Sequence, residues 1–356
     1  MRTVVIGGYG NFGARICREL SASGLEVVAA GRSPRNGGAR LDIEAQGFAD
    51  DLAKLVPGLV IHCAGPFQSQ DYRVALAALH AGAHYLDLAD GRRFVSDFAT
   101  NVDAAARAAG RLAISGASTL PALSSAVIDH LLGRLDRISE IRIVIAPAQR
   151  APRGEATIAA VLGYAGEPFK WLSGGEWRDA WGWQELSRVR IDGVGSRWAA
   201  ACDVPDLELL PARYPGVRTV EFRAALELAP QQFALWLASA LRRRGISLPL
   251  ERWAGALDRV ASWMDGLGGE RGGMLVGVTG ARPNGSTARI EWHLAVDALN
   301  GPEIPCLAAI LLARKLAQGA ISERGAFPCM GFLALSDFER EFPRFGIAIV
   351  TKEMNA

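Results

Sequence analysis

The residues best spaced for chemistry lie at the amino terminus, where Gly8-Tyr9-Gly10-Asn11-Phe12-Gly13 follows the apolar run Thr3 to Ile6. Glycines at this spacing, between a buried strand and a helix, form a cradle for the pyrophosphate of a dinucleotide. Gly8 is expected to let the chain turn out of the strand, and Gly10 to clear a path for close backbone approach. Gly13 would let the helix pack on the strand. Phe12, Ala14, Ile16 and Leu20 continue with helical spacing, so the first amides of that helix would face the anion.

A second group of residues bears on which nucleotide is bound. Leu25 to Ala30 reads as the second strand and ends in Gly31-Arg32-Ser33-Pro34, with Arg35 next. Folds that prefer NAD place an acid here for the ribose 2′-hydroxyl. The only nearby acid, Glu26, stands at the wrong end of the strand. Arg32 and Ser33 instead suit a 2′-phosphate, because the guanidinium fork pairs with phosphate oxygens. The expected cofactor is NADP; a solvated turn arginine is the plainer alternative. Ala39 to Ile43 reads as a third strand that brings Asp42 towards the adenine.

Leu59 to Cys63 reads as the fourth strand, followed by Ala64-Gly65-Pro66-Phe67, small residues suited to a backbone lying against the nicotinamide ribose. His62 is expected as a packed core residue and Cys63 as an inert thiol. His84 to Leu88 gives a fifth strand containing Asp87, with Asp90 just beyond. Leu112 to Ser115 gives a sixth, followed by Gly116-Ala117-Ser118. Asp87 and Ser118 are the candidate catalytic residues, among polar groups that also include Asp90, Ser124, Ser125 and Asp129. No Tyr-x-x-x-Lys, no Ser-His-Asp arrangement and no paired histidines for a metal stand out. Asp129-His130 are sequence neighbours and would diverge on a helix.

These residues need a scaffold, and the 356-residue chain, half of it hydrophobic with a net charge of +2, is long enough for two domains. That charge argues against a nucleic-acid groove. The five scattered cysteines suggest neither a zinc site nor a disulfide framework. A first strand starting almost at Met1 leaves no room for a signal peptide, and no run is long enough to span a bilayer, so a cytoplasmic location is expected.

Strands and helices alternate to about residue 118, with helices expected at 49–55, 72–81 and 94–109. That pattern gives an open parallel sheet covered on both faces. Ser124 to Leu132 reads as a helix leaving it. Ile138 to Ala146 alternates as a half-exposed strand, and a helix is expected over 154–163. Residues 164–215 contain five tryptophans, read either as an aromatic pocket wall or as irregular structure pinned by large side chains. Residues 218–228 read as a strand, and 230–243 and 250–264 as helices with broad apolar faces. Those faces suit a subunit contact, a lipid-facing patch or core; core with subunit contact is expected. Residues 274–278 and 287–296 flank Pro283-Asn284-Gly285-Ser286 as a hairpin. Residues 304–317 read as a strong final helix.

With these segments placed, the chain resembles the saccharopine dehydrogenase-like NADP-binding family, also called saccharopine reductase-like. The likeness rests on GGYGNFG (7–13), GRSP (31–34), CAGPF (63–67), AGAHYLDLAD (81–90) and the run from Gly116 to Asp129. GPEIPCLAAILLARKL (301–316) and GAFPCMGFLALSDF (325–338) extend it. The resemblance implies an α/β fold: a Rossmann-type doubly wound parallel sheet with a second α+β domain on a mixed, largely antiparallel sheet. Expected boundaries are 1–120, 121–300 and 301–356, the last packing back on the Rossmann domain. It also implies a homodimer and chemistry in the cleft between domains. The expected activity is NADP-dependent hydride transfer to or from a C=N, C=O or activated C=C bond of a small substrate. The tryptophans and apolar helices of the second domain depart from a carboxylate-rich substrate such as saccharopine. The alternative is a non-catalytic NADP-binding redox sensor or assembly protein.

Overall fold

The computed structural model describes residues 1–35, 37–153, 155–246 and 248–355. These form two compact units, the first containing Met1–Leu123 and Glu303–Leu333, the second Ser124–Pro302 with the tail from Ala334.

The first unit opens with β1 (Arg2–Ile6), α1 (Asn11–Ala22), β2 (Glu26–Gly31) and β3 (Ala39–Arg40). Then come α2 (Phe48–Lys54), β4 (Leu59–His62), α3 (Arg73–His80) and β5 (His84–Asp87). α4 (Arg92–Ser96), α5 (Phe98–Ala108) and β6 (Leu112–Ser115) complete the alternation. The short third strand corrects the expected 39–43. The carboxylate of Asp42 accepts the Glu44 amide at 3.2 Å and bends the chain after Arg40. The helix expected over 94–109 is two helices meeting at Asp97.

In the second unit, α6 (Ser124–Leu132) and β7 (Arg137–Ala146) precede α7 (Glu155–Gly163); Gly154, where that helix was expected to begin, lies outside the described residues. The stretch 164–215 is more regular than its composition suggests. It holds β8 (Pro168–Ser173), β9 (Glu176–Trp181), β10 (Ser187–Ile191), β11 (Gly195–Ala201) and α8 (Asp206–Arg213). Gly174 and Gly175, both at positive φ, close the β8–β9 hairpin. Two of the tryptophans, Trp171 and Trp183, are buried, and Trp183 Nε1 donates to the Val161 carbonyl at 3.1 Å. β12 (Thr219–Ala224), α9 (Ala229–Arg243), α10 (Ala254–Trp263), β13 (Arg271–Ala281) and β14 (Thr287–Asp297) follow.

The chain then returns to the first unit as α11 (Ile304–Ala317) and β15 (Gly325–Pro328), and closes in the second with α12 (Leu335–Glu339) and β16 (Ala348–Asn355). The 301–356 segment therefore does not pack as one body on the Rossmann domain. β16 pairs antiparallel with β14 along its length, from Ala348 opposite Ala295 to Asn355 opposite Ala288, which draws the tail into the second sheet.

Among the described residues the first sheet has seven strands in the order β15-β6-β5-β4-β1-β2-β3, every pair parallel. This is the Rossmann-type doubly wound sheet. Val4, Val5 and Ile6 are at most 1% exposed, as a strand covered on both faces requires. The second sheet has nine strands along β10-β11-β12-β7-β13-β14-β16, with β8 and β9 attached at β12; it is antiparallel except for β7 beside β12. Within the first unit, α11 is apolar on nearly all sides and buried from Ile304 to Ala313. Its ends are fixed to α1. Glu303, 3% exposed, takes Arg15 and, at 2.7 Å, Arg18, while Arg314 Nε donates to Ser23 Oγ at 2.9 Å. The covering helix is thereby held on the helix that follows the glycine turn.

The second unit buries a carboxyl with an energetic consequence. Asp206 is fully buried, its Oδ1 accepts the Ser124 hydroxyl, and its Oδ2 has no hydrogen-bond partner among the described residues. Burial pushes its pKa up to about 7. The folded chain holds this proton more tightly than an unfolded aspartate, with pKa ~3.9. Asp206 therefore favours folding least once pH has risen through about 7. Asp206→Asn is expected to be more stable than the parent near pH 8, by up to ~4 kcal/mol, and close to it near pH 4. Urea unfolding at the two pH values checks this.

Candidate functional site

The strand order reverses between β1 and β4, and in open α/β sheets ligands bind beyond the carboxyl ends of the strands at such a point. At β1 the turn is made by Gly7, at φ +79°, which corrects the assignment of that role to Gly8. A β-carbon on Gly7 would stand 3.0 Å from both Ala64 N and Cys63 C, so the two strand ends touch through backbone. Gly8 is a packing glycine: its β-carbon would lie 2.9 Å from Ala29 Cβ on β2. Gly13 is tighter, 2.2 Å from the Gly7 carbonyl oxygen. Gly10 differs from all three. It is exposed, and a β-carbon there would meet only the Gly7 carbonyl oxygen at 3.3 Å. It is also the N-cap of α1, which has no side-chain cap and no acid in its first turn. Asn11 accepts from Arg15 Nε at 3.4 Å, and the Phe12 carbonyl accepts the Cys306 thiol at 3.6 Å, so both serve the packing of this helix.

Tyr9 reaches from the glycine turn across the end of β2. Its hydroxyl lies 3.0 Å from the Ala29 carbonyl and 3.2 Å from that of Arg35. Space for the ring comes from two further glycines: a β-carbon on Gly38 would be 1.7 Å from the hydroxyl, and one on Gly31 would be 3.2 Å from the ring. The loop carrying Arg32 and Ser33 is thus tied to the glycine turn. Both residues are exposed, with no side-chain hydrogen bond or ion pair among the described residues. Glu26, at the start of β2, is held by Arg2 at 2.7 Å. Asp42 supports the turn after β3.

Beyond β4, Gln70 Nε2 donates to the carbonyls of Ala64 at 2.7 Å and Pro66 at 2.8 Å, holding Ala64-Gly65-Pro66 beside the glycine turn. His62 is buried, shares a 3.2 Å hydrogen bond with the Tyr85 hydroxyl and packs against Phe67 at 4.9 Å. Burial pulls its pKa down to about 4, so the ring is neutral. Burial likewise raises the Cys63 thiol and pushes Cys17 up to about 11.

Asp87 is sealed rather than lining a cleft. It is 0% exposed, and Oδ1 accepts Ser115 Oγ at 2.9 Å, the Gly116 amide at 2.8 Å and the Ala89 amide at 3.0 Å. Burial raises its pKa to about 6 despite these donors. Its main-chain oxygen also accepts the Ala117 amide at 2.7 Å. Asp87 thus fixes the turn after β6, the turn that carries Ser118. Ser118 is half-buried, with no side-chain hydrogen bond among the described residues. The remaining candidates are engaged elsewhere. Asp90 accepts from Gln68 at 3.2 Å; Ser124 is paired with Asp206; Ser125 is buried; Asp129 binds Arg213 and Tyr214, each at 2.7 Å.

The cradle fits a dinucleotide: one glycine open to solvent where a side chain would intrude, beside a helix start that no side chain caps. Gly7, Gly31, Gly38 and Gln70 escaped sequence reasoning. Gly7 could have been suspected from the Gly-Gly pair, whereas the glycines around Tyr9 make sense only once the ring's path is known.

The fold is that of saccharopine dehydrogenase. The apo histidine-tagged saccharopine dehydrogenase (L-Glu forming) from Saccharomyces cerevisiae superposes with a TM-score of 0.66 at 12% identity, covering 99% of each chain. The C. glutamicum DAP dehydrogenase in complex with DAP gives 0.50 at 16% identity, over 97% of this chain and 98% of that one. An engineered D-amino acid dehydrogenase bound to NADP+ gives 0.51 at 17% identity, over 96% and 98%. No family model and no curated protein matches the sequence.

Two substitutions separate fold from site. Gly10→Ala is expected to melt within a few degrees of the parent yet bind dinucleotide about tenfold or more weakly. Gly13→Ala, with its β-carbon 2.2 Å from a carbonyl oxygen, is expected to lower the melting temperature itself. Thermal melts paired with titration of NADPH check both.

Proposed function

We propose that the chain is an NADP-dependent oxidoreductase acting on a C=N, C=O or activated C=C bond of a small substrate. The observation carrying this reading is the glycine turn abutting Ala64 at the strand-order reversal, with an exposed Arg32-Ser33 pair at the end of β2. Gly10 and the first amides of α1 would receive the pyrophosphate, Arg32 and Ser33 the 2′-phosphate, and Ala64-Gly65-Pro66 the nicotinamide ribose. When bound, the nicotinamide supplies hydride transfer.

The chain's own contribution is positional. Tyr9 sets the arginine loop, Gln70 holds the Ala64–Pro66 turn, and Asp87 fixes the turn that bears Ser118. Ser118 offers a hydroxyl to hydrogen-bond the reacting oxygen or nitrogen. The shared fold of enzymes named as amino-acid dehydrogenases favours a C=N bond. The sealing of Asp87 favours the other reading, a non-catalytic NADP-binding protein. Turnover of NADPH with any of a panel of imines, ketones and enones, followed by absorbance, separates the two.

Cofactor choice has its own test. Arg32→Ala is expected to weaken NADPH binding by about tenfold to a hundredfold, in line with a charge-assisted hydrogen bond, and to leave NADH binding unchanged. Equal effects on the two nucleotides would remove NADP specificity from this residue.

A further inference from the structure

The helix α10 is mounted with its polar side inward. Asp258 lies 3.4 Å from Arg153 Nε, Asp265 just beyond the helix lies 2.7 Å from Arg153 Nη2, and Gln149 Nε2 donates to the Ala261 carbonyl at 3.0 Å. The apolar stripe faces out. Trp253, Leu257, Val260, Trp263 and Leu267 recur every three or four residues and are 46%, 38%, 50%, 85% and 74% exposed. The expectation for this face is core with subunit contact; its exposure corrects the core part. An amphipathic helix held by its charges, with tryptophans at both ends of an exposed stripe, is built to be covered by something apolar.

The charges beside the stripe identify the cover. Exposed Arg252 directly precedes Trp253 and exposed Arg259 directly precedes Val260, while Asp258 and Asp265 are taken by Arg153. Arg242 is paired with Glu167, and Arg243 stacks on Trp181 at 3.6 Å. Arg244 and Arg252 are exposed, with no side-chain partner among the described residues. Among the described residues, exposed Arg259 carries only a 3.3 Å bond to its own helix. A second copy packed stripe to stripe would offer these arginines neither Asp258 nor Asp265, both already engaged by Arg153. An anionic bilayer surface satisfies both features: indoles and aliphatic side chains at the headgroup boundary, guanidinium groups among lipid phosphates. We infer that the α10 face is a peripheral docking site for anionic membrane. Among the described residues no helix is long and apolar enough to cross one, so the contact is interfacial.

The test is co-sedimentation of the full chain with vesicles of phosphatidylcholine alone or mixed equally with phosphatidylglycerol. Binding is expected to be about tenfold tighter to the anionic vesicles and to weaken as salt rises. The double variant Leu257→Ser/Trp263→Ser should lose binding to both while keeping the parent's melting temperature, because both sites are exposed. Arg252→Glu/Arg259→Glu leaves the stripe intact and should lose only the preference for anionic lipid. No binding, or equal binding to the two vesicle types, overturns the inference. So does a dimer in sedimentation velocity that the Leu257→Ser/Trp263→Ser pair dissociates, since a second copy would then be the cover.

Discussion

The structure of the first unit depends on backbone meeting backbone where β1 and β4 end. Gly7 lies against Ala64 and Cys63, and Gly13 lies against the Gly7 carbonyl. No side chain fits at either contact, so sequence is constrained there more tightly than hydrophobicity alone would require. The contact sets the start of α1 at the reversal in strand order, and the remaining site features are placed relative to it. Tyr9 extends outward from the same turn to fix the arginine loop, and Gln70 fixes the facing turn from the β4 side. Glu303 and Arg314 then hold α11 across α1. The supports of the cradle are thus close backbone contacts together with hydrogen bonds and ion pairs from Tyr9, Gln70, Glu303 and Arg314.

Burial assigns roles to the polar residues that a motif search would group together. His62, Asp87 and Asp206 are all ionisable and all buried, and desolvation shifts each towards its neutral form. Asp87 compensates by accepting three donors, which turns a candidate acid into the residue that shapes the Ser118 turn. Ser118, with no bond of its own among the described residues, keeps its hydroxyl available.

The parallel sheet was legible because its strands are short apolar runs closed by glycine, and the chain between them alternates with helical spacing. The glycine turn after β1 was legible for the same reason: glycine spacing and residue type at strand ends are local properties. What escaped reading is non-local. Gly7 and Gly8 are indistinguishable as letters, and only the path of β4 shows which one makes the turn. Asp42 ended a strand by accepting the Glu44 backbone amide on its side chain, which competes with propensity at a sheet edge. The tryptophans of 164–215 hid two hairpins, because large residues on both faces blur the period of two. For α10 the stripe was visible, but periodicity gives a face without saying whether it points in or out; Arg153 decided that.

The central claim, a nucleotide cradle at the β1–β4 junction, is tested most directly by calorimetric titration of the purified full chain with each pyridine dinucleotide. One site per chain, with NADPH bound more tightly than NADH, is the expected result. No heat of binding from either nucleotide, with the protein shown to be folded, would contradict it.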